Sequence, residues 1–396
     1  ASSELPQSSG KGMSDTQARS SGMQMSVTSA MLPRIAILGA GVFVRTQYIP
    51  RLRELSDGVV IKTIWSRTEE SARAAAELAC DFSPNVDCKW GEAGLDDISQ
   101  DDSIHGVLIV LAGQVQVDIS LRMLRAGKHV IQEKPAAEST RVAETALSDY
   151  RSFLTNSPHK PIWAVAENYR FEPAFMESRK LMEKIGDMMN IQVIVEGSMN
   201  SSNPYFSSSW RRNFNAGFVL DMGVHFIAGL RIVAGYEIKT VSAVSCHVDT
   251  SLPPPDNICA HFRLENGCPG VFVMTVSSPS PKIYWRFVGS KGALQVERGN
   301  VNGQHGYSVL FYSADGNCQS SFFPFSGVTE ELKAFFHDIS KAIDKGGACY
   351  EAEPRSSFVE GARDVAVLEA MLESSKKEGA PVNVKIFKPI SDGLKA

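Results

Sequence analysis

The stretch Arg34–Arg45, RIAILGAGVFVR, constrains this chain more than any other. Ile35, Ala36, Ile37 and Leu38 form a short apolar run without polar alternation. A strand buried on both faces reads this way. Gly39-Ala40-Gly41 follows at once, and a helix-compatible segment runs from Phe43 to Glu54. Strand, glycine turn and helix is the arrangement that cradles a dinucleotide pyrophosphate. Gly39 permits the tight turn and Gly41 lets the backbone approach the phosphates. The helix N-terminus, at Val42 and Phe43, offers N–H groups and the positive end of a dipole. Val44 stands where such turns usually carry a third glycine. The helix is therefore expected to sit slightly further out.

The next strand is Val59–Trp65, closed by Ser66-Arg67-Thr68 and followed by an Ala-rich helix over Glu69–Ala79. In NAD-binding folds an acid near this strand end holds the ribose 2′-hydroxyl, whereas an arginine accommodates the 2′-phosphate of NADP. Asp57 precedes the strand, and Glu69 and Glu70 belong to the next helix. With Ser66 and Arg67 at the strand end, NADP is favoured and NAD is the alternative. Val107–Leu111 is another buried strand, with Ala112-Gly113-Gln114 as its exit loop. A helix over Val117–Ala126, ended by Gly127, leads to strand His129–Glu133. Alternating strands and helices imply a doubly wound parallel sheet. Ala112 and Glu133, at strand carboxyl ends, join the expected cofactor residues.

A chain of 396 residues, 43% apolar, suits two domains. The expected boundaries are a disordered serine-rich tail over 1–31, a nucleotide-binding domain over 32–160 and an α+β domain over 161–388. The tail's few charges cancel. An organelle transit peptide is the alternative, against which stands the presence of acids. The first residue is not Met, which leaves processing of this end open. A formal net charge of −4 gives no basic excess for nucleic acid, and no uninterrupted apolar run is long enough for a membrane span. Seven cysteines, at 80, 88, 246, 259, 268, 318 and 349, are odd in number and lack a CxxC pair. They read as reduced thiols of a cytoplasmic protein, and no histidine spacing calls for a metal.

Strand His129–Glu133 runs straight into Lys134-Pro135, so topology delivers Lys134 to the cofactor cleft. Pro135 restricts Lys134 to extended backbone. A surface turn between domains is the plainer alternative. Asp221 and His225 stand at i, i+4 and share one face of a helix. Asp221 is expected to orient one imidazole nitrogen and raise the basicity of the other, which suits a proton shuttle. The plainer alternative is a local helix pair.

Together these residues resemble the glucose–fructose oxidoreductase / inositol dehydrogenase (Gfo/Idh/MocA) family. The resemblance rests on the glycine turn and Glu133-Lys134-Pro135. It extends to Glu167-Asn168-Tyr169-Arg170-Phe171 after strand Ile162–Ala166, and to Gly217–His225 with its Gly-x-x-x-Asp-x-Gly-x-His pattern. Val288–Leu294 matches a late strand–turn–strand. It implies hydride transfer at a carbon bearing a hydroxyl or carbonyl, in sugars or cyclitols, with NAD or NADP. It also implies catalytic roles for Lys134, Asp221 and His225. Asn168, Tyr169, Arg170, Tyr205, Trp210, Arg211 and Arg212 flank these motifs and are candidates for contacting a polyhydroxylated or anionic substrate. A ligand-sensing regulator that kept the fold but lost the chemistry is the alternative from another class, and a dihydrodiol-type dehydrogenase the alternative within this one.

From Ile191 to Phe323 the pattern shifts to strands, with turns at Asn266-Gly267 and Lys291-Gly292, implying a large, mostly antiparallel sheet. Residues 271–276, VFVMTV, are apolar on both faces. Helices cover one face; the other is expected to be buried by a second copy of the chain, giving a homodimer or larger homo-oligomer. Helices Glu330–Lys345 and Phe358–Lys377 finish the second domain, the last as an amphipathic packing helix.

Overall fold

A computed structural model describes residues 31–346 and 350–390; the serine-rich tail, apart from Met31, and Cys349 lie outside the described residues. The first layer is a six-stranded parallel sheet. It comprises β1 (Arg34–Leu38), a π-helical turn Val44–Tyr48 continuing into α1 (Ile49–Glu54), β2 (Val60–Ser66), α2 (Glu69–Ala79), β3 (Asp87–Trp90), α3 (Gly91–Gln100) and β4 (Gly106–Ile109). The series ends with α4 (Gln116–Arg125), β5 (His129–Glu133), α5 (Thr140–Asn156) and β6 (Trp163–Ala166). The strand order β3-β2-β1-β4-β5-β6 is that of a dinucleotide-binding Rossmann sheet. Ile35, Ala36, Ile37 and Leu38 are all fully buried, as their unbroken apolar run requires. In α2, Thr68 caps the N-terminus and Ala72, Ala75 and Ala79 turn inward at helical spacing.

A 3-10 turn, Asn168–Phe171, leads into the second layer. Its first elements are α6 (Pro173–Leu181), β7 (Met188–Ser198), α7 (Ser209–Arg212) and α8 (Gly217–Ala234). There follow β8 (Ile238–Cys246), β9 (Asn257–Leu264), β10 (Pro269–Thr275), β11 (Ser277–Gly289), β12 (Gly292–Val301), β13 (Gln304–Ser313) and β14 (Cys318–Pro324). The chain ends with α9 (Gly327–Asp344), α10 (Phe358–Lys376) and β15 (Val382–Asn383). The second sheet has nine strands in the order β14-β13-β12-β11-β7-β10-β9-β8-β15; its pairs are antiparallel except β7 with β10.

Helix α8 covers the inner face of this sheet. Phe218, Val224, Phe226 and Leu230 pack with Val193, Phe272, Trp285 and Phe287 in one core. By length and a mean hydropathy of 1.5, α8 could cross a membrane, but 83% of it is buried inside this protein, as befits a core helix. Among the described residues the outer face carries exposed apolar side chains. Phe272, Met274 and Val276 point into the core, whereas Val271 is exposed and Val273 half-exposed, with Val244 and Met189 also exposed.

The last two helices depart from the expected division. Leu332, Phe335, Phe336 and Ile339 of α9 pack with Ile35, Ile37 and Leu108, in the core of the first sheet. Helix α10 is not simply amphipathic. Phe358, Ala362 and Ala366 join the first layer's core, while Val365, Leu368 and Met371 join the second's. It is buried on two sides because it is wedged between both layers.

Candidate active site

The glycine turn is built as the sequence implies. Gly39 has φ +132°, and a Cβ there would lie 2.2 Å from the carbonyl oxygen of Val110. Only glycine fits. Gly41 faces open space, with nothing within 4 Å of where a Cβ would stand. Val42, at the head of the helix, is exposed and Phe43 half-buried. Val44, fully buried, opens the π-helical turn in place of the third glycine. An open, glycine-lined strand-to-helix turn fits a pyrophosphate. At the end of β2, Ser66 is half-buried and Arg67 exposed. Arg45 reaches the same corner, donating from Nε to the Ala40 carbonyl at 2.8 Å and from Nη2 to Ser71 Oγ at 3.3 Å.

Three elements bring the reactive groups together. β5 ends in Glu133 with Lys134 next after it, β6 ends before Glu167, and α8 carries Asp221 and His225. The Lys134 Nζ donates to the main-chain carbonyl of Asp221 at 2.7 Å and to its Oδ1 at 3.1 Å. Arg211 Nε donates to Asp221 Oδ2 at 3.0 Å. Asp221 is buried. Burial alone would push its carboxyl up, but Lys134 and Arg211 outweigh that and hold it below the ordinary aspartate range. The side chains of Lys134 and His225 retain 12% and 19% exposure, so both reach toward the cleft while their carboxylate partners are sealed off.

The expected Asp221–His225 hydrogen bond is not made. Asp221 spends both oxygens on Lys134 and Arg211, and the imidazole Nδ1 pairs with Glu167 Oε1 at 2.6 Å. Helical i, i+4 spacing places Asp221 and His225 on one face, but the tertiary partner from β6 reaches the ring. Burial lowers the His225 pKa and Lys134 adds to that; Glu167 opposes but does not reverse it. The Tyr169 ring stacks on the imidazole, centroids 4.5 Å apart and planes 13° from parallel.

The remaining candidates separate. Arg170 is turned into the core rather than toward the cleft. It is 2% exposed and forms an ion pair with Asp364 of α10, which also binds Arg231 Nη1 at 2.7 Å. Tyr169 is likewise buried and acts on the imidazole. Half-buried Asn168 lies against Glu172. Arg211 lies between the rings of Tyr205 and Trp210, 4.5 and 4.3 Å from their centroids, and so stays by the site. Arg212 turns away to the carbonyls of Phe206 and Ser251. This segment reaches the first layer: Gln114 Nε2 donates to the Trp210 carbonyl at 2.9 Å, beside half-buried Ala112.

Sequence reasoning missed Tyr48 and Glu331 and did not single out Glu167. The Tyr48 hydroxyl donates to Glu133 Oε1 at 2.6 Å, and Gln116 Nε2 donates to the Glu133 carbonyl at 2.9 Å. Glu331, in α9, is 1% exposed and its Oε2 has no hydrogen-bond partner among the described residues. A strand-end position was the available signal for Glu167; the apolar pattern of α9 gave none for Glu331.

Fold and site together define a dinucleotide-linked dehydrogenase or reductase. Residues 33–151 match the family described as "Oxidoreductase family, NAD-binding Rossmann fold", and residues 175–295 match "GFO/IDH/MocA C-terminal domain". Dehydrogenase FPY6 of Fusarium mangiferae is 30% identical over 376 residues, covering 89% of this chain and 99% of that protein. The chain belongs to the Gfo/Idh/MocA family of oxidoreductases. The scyllo-inositol 2-dehydrogenase (NADP(+)) IolW of Bacillus subtilis is 26% identical over 200 residues, 49% of each chain. A levoglucosan dehydrogenase in complex with NADH and levoglucosan superposes with a TM-score of 0.71 at 22% identity, covering 90% of this chain and 100% of that one. An inositol dehydrogenase homologue from Azotobacter vinelandii, complexed with NADH and myo-inositol, gives 0.74 at 16%, covering 89% and 98%. At these identities the two structures attest the fold.

The buried acids carry a pH dependence. Burial pushes the Glu133 carboxyl up to about 7, and burial together with Glu133, Glu167 and Glu172 pushes Glu331 well above the carboxylate range. The folded state therefore holds protons that the unfolded chain releases above its ordinary glutamate pKa of about 4.3. Stability from these groups is present at low pH and lost as pH rises toward 7 and beyond. Glu331→Gln is expected to flatten the fall in unfolding free energy between pH 5 and pH 8 and to stabilise the protein at pH 8 by about 1 kcal/mol or more. Denaturant titrations at both pH values check this, and a variant as pH-sensitive as the parent would contradict it.

Proposed function

We propose that this chain is an NADP-dependent oxidoreductase that interconverts a hydroxyl and a carbonyl on a sugar, cyclitol or related small molecule. The observation that carries the reading is the convergence of Lys134, from the first sheet, and His225, from α8, about Asp221: the ammonium binds Asp221, and the imidazole stands one helical turn further along and feels that ammonium's charge. A bound nicotinamide dinucleotide supplies the hydride acceptor or donor. In the oxidative direction His225 takes the hydroxyl proton through the nitrogen not engaged by Glu167, and in the reductive direction it returns that proton. Lys134 donates a hydrogen bond to the same substrate oxygen and offsets the charge developing there. Asp221 holds the Lys134 ammonium in place. Arg211, Tyr205 and Trp210 offer a guanidinium and aromatic surfaces to substrate hydroxyls. IolW, named for scyllo-inositol and NADP(+), and the sugar- and cyclitol-bound neighbours support this substrate class.

NADP is preferred on the chemistry at the end of β2. No acid stands there to receive a 2′-hydroxyl. Ser66 and Arg67 stand there instead, with the Arg45 guanidinium at the adjoining corner beside Ser71. The NADH in two structural neighbours belongs to those proteins. We further assign the open face of the second sheet to a second copy of the chain. Its exposed Val244 and Val271 lie on the face opposite α8.

Lys134→Ala and His225→Ala are each expected to keep cofactor binding while lowering turnover by about 10²-fold or more. Assays with a panel of sugars, cyclitols and carbonyls, read by nicotinamide absorbance, check this; full activity in either variant would reject the assignment. Tryptophan-fluorescence titration is expected to show tighter binding of NADPH than NADH, and Arg67→Ala is expected to cost NADPH about 10-fold while leaving NADH unchanged. Equal affinities in the parent would overturn the NADP reading. Sedimentation is expected to give at least twice the 43.1 kDa chain mass, with Val244→Asp/Val271→Asp shifting it toward one chain; a monomeric parent would remove the dimer.

A further inference from the structure

We infer that Glu167 is the positioning residue for His225: it fixes the imidazole as the Nδ1–H tautomer and presents an unprotonated Nε2 to the substrate hydroxyl. The inference deepens the oxidoreductase reading and rests on it for its catalytic meaning. Glu167 is 1% exposed and stands at the exit of β6, so its carboxylate cannot swing into water. Its Oε1 receives His225 Nδ1 at 2.6 Å and the Tyr169 N–H at 3.2 Å. The main-chain bond pins the carboxylate, and the stacked Tyr169 ring pins the imidazole plane. An ionised carboxylate only accepts hydrogen bonds, so Nδ1 must carry the proton. The second ring nitrogen is then left with its lone pair.

The surrounding charges fit this division. Around the imidazole stand Glu167 from the β6 exit, Lys134 from the β5 exit and Asp221 from its own helix. Around Glu167 stand His225, Arg170 and Lys134 as cationic or polar partners, with Glu133, Glu331 and Asp364 as acidic neighbours. Burial works against ionisation of Glu167, but His225, Arg170 and Lys134 hold its carboxyl below the ordinary range. Glu133 and Glu331 are pushed the other way, toward the protonated form, Glu331 the further of the two. The pocket thus keeps its negative charge on two carboxylates, Glu167 against the histidine and Asp221 against Lys134 and Arg211. During oxidation the hydroxyl proton moves to Nε2, the electron pair of the carbon–hydrogen bond leaves with the hydride, and Glu167 keeps its charge against the imidazolium without taking a proton.

The test reads the histidine directly. In ¹⁵N-histidine-labelled full-length protein at neutral pH, the His225 signals, assigned by their loss in His225→Asn, are expected to show Nδ1 protonated and Nε2 bare. An Nε2–H tautomer would overturn the inference, whether or not a substrate has been found. Failure of the whole substrate panel with the expected tautomer present would instead strike the oxidoreductase reading. Glu167→Gln removes the charge that raises the imidazole's basicity. Its His225 titration is expected to move to lower pH, and the acidic limb of kcat/KM is expected to move with it. Turnover at neutral pH should fall about 10-fold or more, with KM and cofactor affinity little changed. Glu167→Asp, which keeps the charge, should restore part of the parent pH profile. A Glu167→Gln protein whose histidine titrates as the parent does would also overturn the inference, and Asp221→Asn, which does not touch the ring, should leave the tautomer as it is.

Discussion

The meeting of Lys134 with Asp221 is the interaction on which the site depends. It ties the exit of β5 to the second turn of α8, and so ties the nucleotide layer to the sheet layer. Neither charge would be tolerable alone. Asp221 is 3% exposed, and a lone buried carboxylate would abandon its charge. Two cations, Lys134 and Arg211, keep it ionised. Arg211 in turn lies over the rings of Tyr205 and Trp210, so the carboxylate also anchors the loop that carries them. Lys134, Arg211 and, one turn further along α8, His225 all stand about this buried anion.

Both layers hold that meeting in place from behind. α9 returns to the first sheet and packs against the strands beside the glycine turn, and α10 is wedged between the two cores. Arg170, Arg231 and Asp364 add a buried ionic link among the turn after β6, α8 and α10. These three segments carry Glu167, His225 and the backing of α8. The ionic link therefore lies one step behind the imidazole, where a displacement would be felt by the ring.

Much of this was legible in the chain, and the limits have physical causes. The buried strands of the first sheet announced themselves by unbroken apolar runs, and Gly39 by a turn that leaves no room for a Cβ. Lys134 was readable because topology alone sends a strand exit to the cleft. The partner of His225 was not, because helical spacing reports which residues share a face and not which side chain arrives from another strand. Arg170 looked like a ligand for substrate because it flanks the matched motifs and a guanidinium suits a polyhydroxylated or anionic molecule; the acid that claims it stands 194 positions later. Strands β13 and β14 fall within or at the edge of the stretch that reads as strands, but the second gives no boundary of its own. The second is a serine-rich edge strand, CQSSFFP, without the alternation that a half-buried strand shows.

One detail of the lysine's anchorage reaches further. The shorter of its two contacts on α8 is to a peptide oxygen, which every amino acid at position 221 would supply. The location of the ammonium is thus written partly into the helix itself. Exchange of the aspartate for a neutral residue would strip the lysine of its carboxylate partner before it dislodged the lysine. Descendants of such a chain could therefore change the electrical character of the cleft while the ammonium kept one of its two anchors on the same turn of helix.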